Sequence, residues 1–236
     1  MDAAQVENIA SQYLPSRWHY YYARSKLATD PLYAAVVEAL AGTHAPLLDL
    51  GCGMGLLAHC CRACGVAFSY HGVDNDIAKI ELARAAAARA GLSACRFDTL
   101  DLAQGMPAHQ GSVALLDVLQ FLPPERMAVL IAQAAACITD SGRLVIRTGL
   151  QDASWRTRVT KAADWFSRAI RWMNAAPRAY PTNAFLHEHL RAHGLEASFS
   201  PLWGNTPFNN WLVVARRSTA IPRANPGIAP SPAPAG

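Results

Sequence analysis

Apolar and polar positions along this chain switch between a strand period and a helix period, and the switches mark its elements. Asp30-Pro31 caps a helix running through Leu32 to Leu40, stopped by Gly42. Leu47 to Leu50 is a short apolar run that enters Gly51-Cys52-Gly53-Met54-Gly55, and a helical pattern resumes at Leu56. That order predicts strand, tight turn, helix. A second strand over Phe68 to Val73 ends at Gly72-Val73-Asp74 and hands over to a helix from Asp76 to Arg89. Ile80, Ala83, Ala87 and Ala90 keep helical spacing there, and Gly91 closes it. Ala94 to Phe97 reads as a third strand, and the apolar Ser112 to Leu116 as a fourth, buried on both faces. Glu125 to Ile138 is helical, Asp140-Ser141-Gly142 turns, and Arg143 to Arg147 forms a fifth strand. Trp155, Val159, Ala162, Phe166, Ala169, Ile170 and Met173 then put one apolar face on a helix within residues 152–176. A further helix starts at Thr182 or Asn183 and stops at Gly194, followed by a hairpin with arms Leu195 to Pro201 and Phe208 to Arg216. Strands alternating with helices predict an α/β chain. From Ser218 onward, five prolines among Ala and Gly predict a disordered tail.

Composition narrows this picture without changing it. The 236 residues are 52% hydrophobic and 16% charged, as suits a globular enzyme. No run reaches the about 18 apolar residues that span a bilayer, and Met1 to Gln12 lacks the layout of a signal peptide, so the expected compartment is the cytoplasm. Cys61-Arg62-Ala63-Cys64 beside His59 formally makes C-x-x-C, but no second pair follows at metal-site spacing, and buried free thiols on a helix are the expected reading. Charge is uneven. Residues 1–139 carry net −3 and residues 140–236 net +7. The basic half, including Arg156, Lys161, Arg168 and Arg171, is either a solvated cap face or a docking surface for an acidic partner such as a carrier protein or an anionic membrane. Basic residues interleave too little with aromatics to favour nucleic acid.

The glycine turn is where chemistry enters. A helix beginning at such a turn aims free N–H groups at an anion or carboxylate above it. The dinucleotide fingerprint G-x-G-x-x-G fails from Gly51, where position 56 is Leu56, and from Gly53, where 58 is Ala58. The pattern is D-x-G-x-G-x-G from Asp49, with Asp74 standing 23 residues after Gly51. With these residues the sequence resembles the class I S-adenosylmethionine (SAM)-dependent methyltransferases. The resemblance implies a Rossmann-like, doubly wound, mostly parallel sheet with an antiparallel final strand, and SAM as cofactor. It implies that Asp49, Gly51, Cys52, Gly53 and Gly55 hold the methionine end and that Asp74, with Asn75, takes the ribose. It puts Asp101 and Leu102 at the adenine, with Asp98 as the rival to Asp101, and adds Asp117 and Arg24 to the cofactor set. Many members of the class carry D-V-L-H-Y-L where this chain has Asp117-Val118-Leu119-Gln120-Phe121-Leu122, so Gln120 replaces a histidine and weakens any general base from that position.

Residues 1–45, with Tyr13, Trp18, His19, Tyr20, Tyr21 and Tyr22 crowded ahead of the first strand, either pack the sheet flank or form a helical, aromatic lid. The expected organisation continues with a SAM-binding core over 46–150, a helical cap over 151–194, a closing hairpin over 195–217 and the tail over 218–236. His19, Tyr21 and Arg147 are the candidate catalytic residues, and Asp117 is a further possible base. Arg147, at the carboxyl edge of the fifth strand, suits either an anionic substrate or a surface salt bridge. No metal-binding set of two acids and an amide assembles, so metal independence is expected. A finer resemblance rests on Tyr22-Ala23-Arg24-Ser25-Lys26-Leu27, Arg147-Thr148-Gly149 and Thr206-Pro207-Phe208-Asn209-Asn210. These look like methyltransferases of aryl polyene or xanthomonadin-type pigment synthesis, which implies a small aromatic or polyketide-like acceptor, on an acyl carrier protein. The rivals are a SAM-binding module without turnover and a nucleotide-dependent oxidoreductase.

Overall fold

The computed structural model describes residues 1–151, 179–204 and 209–218. The helix expected within 152–176 and the proline-rich tail from 219 lie outside these residues, as do Thr206, Pro207 and Phe208 of the finer resemblance.

Three helices precede the sheet: α1 (Ala3–Ser11), α2 (Arg17–Thr29) and α3 (Leu32–Leu40). A reciprocal cap opens α1: Asp2 Oδ1 accepts from the Gln5 amide at 2.8 Å, and Gln5 Oε1 accepts from the Asp2 amide at 2.9 Å. Then β1 (Leu47–Leu50), α4 (Leu56–Ala63), β2 (Tyr70–Asp74), α5 (Ile77–Arg89), β3 (Cys95–Thr99), β4 (Ser112–Leu116), α6 (Pro124–Cys137) and β5 (Leu144–Gly149) alternate. α7 (Asn183–Ala192), β6 (Leu195–Pro201) and β7 (Asn210–Arg217) finish the described chain.

The strands form one sheet of order β3-β2-β1-β4-β5-β7-β6. The first five are mutually parallel, and β7 runs antiparallel to both β5 and β6. This is the Rossmann-like doubly wound sheet expected from the sequence, antiparallel strand included. The direction of winding reverses between β1 and β4, so a crevice opens at the carboxyl ends of those two strands.

Side chains alternate between two cores, and that alternation decides where the polar residues go. Leu47, Ala114, Val145 and Leu212 face a layer built with α1 to α5. Leu48, Leu50, Val113, Leu115, Ile146 and Val213 face a layer built with α6 and α7. Asp49 and Arg147 share the parity of Leu47 and Val145, so both enter the first layer and are buried there.

The N-terminal helices are docked to that layer. Tyr13, 1% exposed, donates its hydroxyl to the Met54 carbonyl at 2.9 Å, and Gln5 Nε2 donates to the Ala63 carbonyl at 2.9 Å. Arg89 Nε donates to the Gln12 carbonyl at 2.6 Å. The aromatic cluster therefore divides: Tyr13 packs the flank, while Trp18 and Tyr21 remain exposed. Among the described residues no helix is long and apolar enough to cross a membrane.

Candidate active site

The loop from Gly51 to Gly55 sits at the carboxyl end of β1, and its three glycines divide between two jobs. Gly51 has φ +77°, and an added Cβ would lie 2.6 Å from Val118 Cγ2. Gly55 has φ +80° and caps α4, with a Cβ there only 2.8 Å from the Phe97 ring. Both are glycine for left-handed backbone and for close packing inside the chain. Gly53, at φ +55°, has nothing within 4 Å of an added Cβ and is the one that faces open space. Of the three, only Gly53 would accept a side chain without displacing the chain's own atoms.

Two carboxylates flank the loop. Asp74 ends β2; its Oδ2 accepts from the Gly53 amide at 2.9 Å and its Oδ1 from the Asp76 amide at 2.9 Å. It braces the loop while keeping lone pairs for a ligand. Asp49 is 2% exposed, and Tyr70 donates its hydroxyl to Oδ2. Its Oδ1 is buried with no partner among the described residues. Burial, reinforced by the neighbouring Asp74 charge and opposed by the Tyr70 hydroxyl, pushes the Asp49 carboxyl up to about 7. Cys52 lies in the loop with its thiol pushed up by burial and so held neutral. Cys60 and Cys61 are buried free thiols within α4, and Cys64 is an exposed one at its end. Burial, with Arg89 adding to it, holds the adjacent His59 down at about 4.

At the far side of this edge, β3 runs two residues further than its apolar run, so Asp98 belongs to the strand. Its carboxylate meets Arg96 Nε at 2.9 Å, His71 Nε2 at 3.0 Å and Arg84 Nη2 at 3.3 Å. Asp101 lies beyond the strand, exposed, with one carboxylate oxygen on the Ala103 amide at 2.9 Å. Leu102 follows, half-buried, and Asn75 is exposed beside Asp74. Ile77, at the start of α5, leaves 62% of its surface exposed. Sequence reasoning passed over Ile77; its signal was an apolar residue in the first turn after Asp74.

On the β4–β5 side, Asp117 follows β4 with φ 61°, the one positive φ of a non-glycine among the described residues. Arg147 Nη1 donates to Asp117 Oδ2, and Nη2 reaches Asp30 Oδ2 at 3.4 Å. Lys26 Nζ stands 2.5 Å from the same Asp30 oxygen. Burial opposes both charges. The guanidinium and the Lys26 ammonium nonetheless hold the Asp30 carboxyl below its ordinary value, and the two carboxylates raise Arg147 above its own. The salt bridge allowed for Arg147 exists, but it is buried, with the side chain 8% exposed and both terminal nitrogens committed. Asp30, read from sequence only as a helix cap, also accepts the Leu32 amide at 3.0 Å. Gln120 occupies a single 3-10 turn (Leu119–Phe121), its Oε1 buried without a partner among the described residues. Tyr180 packs its ring where a side chain on Gly149 would sit.

Of the three candidates on α2, Tyr21 and Arg24 are exposed, while His19, one turn before the buried Ala23, is half-buried. Ala23 and Leu27 are the side of α2 that is buried, which turns its other faces outward. Tyr21 is 57% exposed and lines a groove between α1 and α2 together with Arg24. Arg24 is paired with Glu7 at 3.1 Å, and His19 Nδ1 lies 2.8 Å from Ser16 Oγ.

Residues 47–142, from β1 to the turn before β5, match the family model described as a methyltransferase domain. The fold is shared with solved methyltransferase structures. Magnesium protoporphyrin IX methyltransferase from Synechocystis PCC 6803, with bound SAH, superposes with TM-score 0.61 at 18% identity, over 79% of this chain and 82% of that one. The pyocyanin biosynthetic protein PhzM gives 0.64 at 16% identity, over 90% of this chain. An O-methyltransferase family 2 protein from Planctomyces limnophilus DSM 3776, in complex with apigenin, gives 0.63 at 17% identity, over 89% of this chain. The chain spans 62% and 65% of the length of the latter two. Comparison with curated protein sequences yields no match.

Proposed function

We propose that this chain is a SAM-dependent methyltransferase acting on a small, neutral aromatic acceptor. The observation that carries the reading is the Gly51–Gly55 loop at the winding reversal, open above Gly53 and set between the orphaned Asp49 oxygen and the Asp74 carboxylate. The match of residues 47–142 to a methyltransferase domain supports it.

The residues present fit the cofactor. The buried, unpartnered Asp49 Oδ1 suits an ammonium donor, and the first amides of α4 suit a carboxylate. Asp74 retains acceptor capacity for two ribose hydroxyls, with Asn75 beside it. Asp101 is free to accept from an exocyclic amine, the Leu102 amide follows, and Ile77 offers an apolar face for a purine. Asp98 is already spent on two arginines and a histidine, which favours Asp101. When bound, the cofactor supplies a methyl group on a positively charged sulfur, so the protein's part is alignment and exclusion of water.

Acceptor chemistry follows from charge. Among the described residues, Arg147 and Lys26 are balanced by Asp30 and Asp117, which leaves no spare cation there for a carboxylate or phosphate. A hydroxyl donor instead finds the unpartnered Gln120 Oε1. In this reading the exposed Tyr21 takes no part in proton transfer. A finer form makes the acceptor polyketide-like and carrier-bound, in pigment metabolism. The resemblance of residues 22–27 and 147–149 supports it, and net +7 over residues 140–236 suits an acidic carrier.

Calorimetric titration with S-adenosylhomocysteine tests the cofactor. Micromolar binding is expected, weakened by about 2–3 kcal/mol in Asp74→Ala, which loses the ribose acceptor. Because that change also unbraces Gly53, Asp74→Asn is run beside it, keeping one acceptor oxygen. Absence of binding to both S-adenosylhomocysteine and SAM overturns the proposal. Turnover with neutral phenols, and none with benzoates, would support the acceptor class.

A further inference from the structure

We propose that Arg147 is a positioning residue, the centre of an ionic clasp that ties the N-terminal helices to the carboxyl edge of β4 and β5 and sets the shape of the crevice there. The clasp joins three segments far apart in sequence: the α2–α3 junction at Asp30, the end of β4 at Asp117 and β5 at Arg147. One planar guanidinium reaches both carboxylates from separate nitrogens, which a lysine ammonium on a single point does not reproduce.

Burial argues that the arrangement has a task. Isolated burial of a guanidinium is costly, and buried ion pairs seldom add net stability over apolar packing, so their use lies in fixing one arrangement. Here the fixed arrangement extends to the glycine loop. Asp117 is held at φ 61° by the Arg147 side chain and by its own amide on the Arg147 carbonyl at 2.9 Å. The next residue, Val118, fills the space against Gly51, where an added Cβ would stand 2.6 Å away. Asp30, Arg147, Asp117, Val118 and Gly51 therefore form a continuous packed path from the N-terminal helices to the loop. The edge is preformed only while α2 and α3 stay fastened.

Asp30→Asn is the mildest cut, because asparagine still accepts the Leu32 amide while the charge is lost. Hydrogen exchange of the ligand-free protein is the primary readout. Amides of α2 (Arg17–Thr29) should exchange about tenfold faster in the variant, with those of β1, β4 and β5 unchanged. Arg147→Lys should accelerate the same amides, less strongly because Lys26 still pairs with Asp30, and the double variant should add nothing to Asp30→Asn. The consequence for the loop rests on the proposed function: S-adenosylhomocysteine affinity should fall about fivefold to tenfold in Asp30→Asn. Exchange in α2 within twofold of wild type, or acceleration spread uniformly over the sheet, overturns the clasp. If the wild type binds no S-adenosylhomocysteine, the proposed function fails and the exchange data alone decide the clasp.

Discussion

Replacing Asp49 by Asn should make stability less sensitive to pH, and the size of the change can be worked from the surroundings of this carboxyl. Asp49 is buried beneath the first helical layer, with one oxygen on the Tyr70 hydroxyl, the other unpartnered, and Asp74 adding like charge. Its carboxyl is held at about 7 when folded, against roughly 3.9 in an unfolded chain. A raised carboxyl stabilises the fold fully below pH about 4, and the contribution is lost as pH rises through 7. Linkage puts the loss at about 1.5 kcal/mol at pH 5 and about 4 kcal/mol at pH 8. Asparagine does not titrate and still accepts from Tyr70. Urea unfolding of both proteins should therefore show the stability of Asp49→Asn, relative to wild type, rising by about 2–3 kcal/mol from pH 5 to pH 8. Taking the difference removes His59, which is held down at about 4 and acts with the opposite sign, gaining stability as pH rises towards 6.5. A difference flat to within about 0.5 kcal/mol would refute the placement of Asp49 in a dry, underpaired site. If Asp49 also receives the cofactor ammonium, S-adenosylhomocysteine binding at pH 7 should release about half a proton, read from calorimetry in two buffers of different ionisation heat.

The loop glycines should separate folding from binding. Gly55→Ala forces a left-handed alanine into the Phe97 ring and should cost about 2–4 kcal/mol in urea unfolding. Gly53→Ala meets no neighbour, so it should cost only about 1–2 kcal/mol of stability while reducing S-adenosylhomocysteine affinity at least about tenfold. Equal binding by Gly53→Ala and wild type would remove that face of the loop from the site. Tyr13→Phe leaves the buried Met54 carbonyl without its donor and should cost about 1–1.5 kcal/mol, again by urea unfolding.

The framework was legible because it rests on local rules. Apolar runs, caps and glycine stops located five parallel strands, their helices and the closing hairpin, since period and turn chemistry act within a few residues. Boundaries moved where pairing overrode composition. Polar Asp98 and Thr99 continue β3 because they stay in register with Val73 and Asp74 of β2. The D-x-G-x-G-x-G stretch and Asp74 were visible for the same local reason. Asp30 was legible only as a cap; its partner Arg147 stands 117 residues away.

What the sequence determined by itself was the alternation of elements, the glycine turn and the placement of two carboxylates around it. Only the tertiary structure decided which of the charged residues are available. Strand parity sends Asp49 and Arg147 into the core of the first helical layer, where one is left underpaired and the other is shared between two acids. The burial pattern of α2 turns Tyr21 and Arg24 outward, onto a groove shared with α1. A side chain's type is written in the chain. Its partner and its contact with water are set by segments a hundred residues distant, because ionic pairing and desolvation depend on distance in space rather than along the sequence.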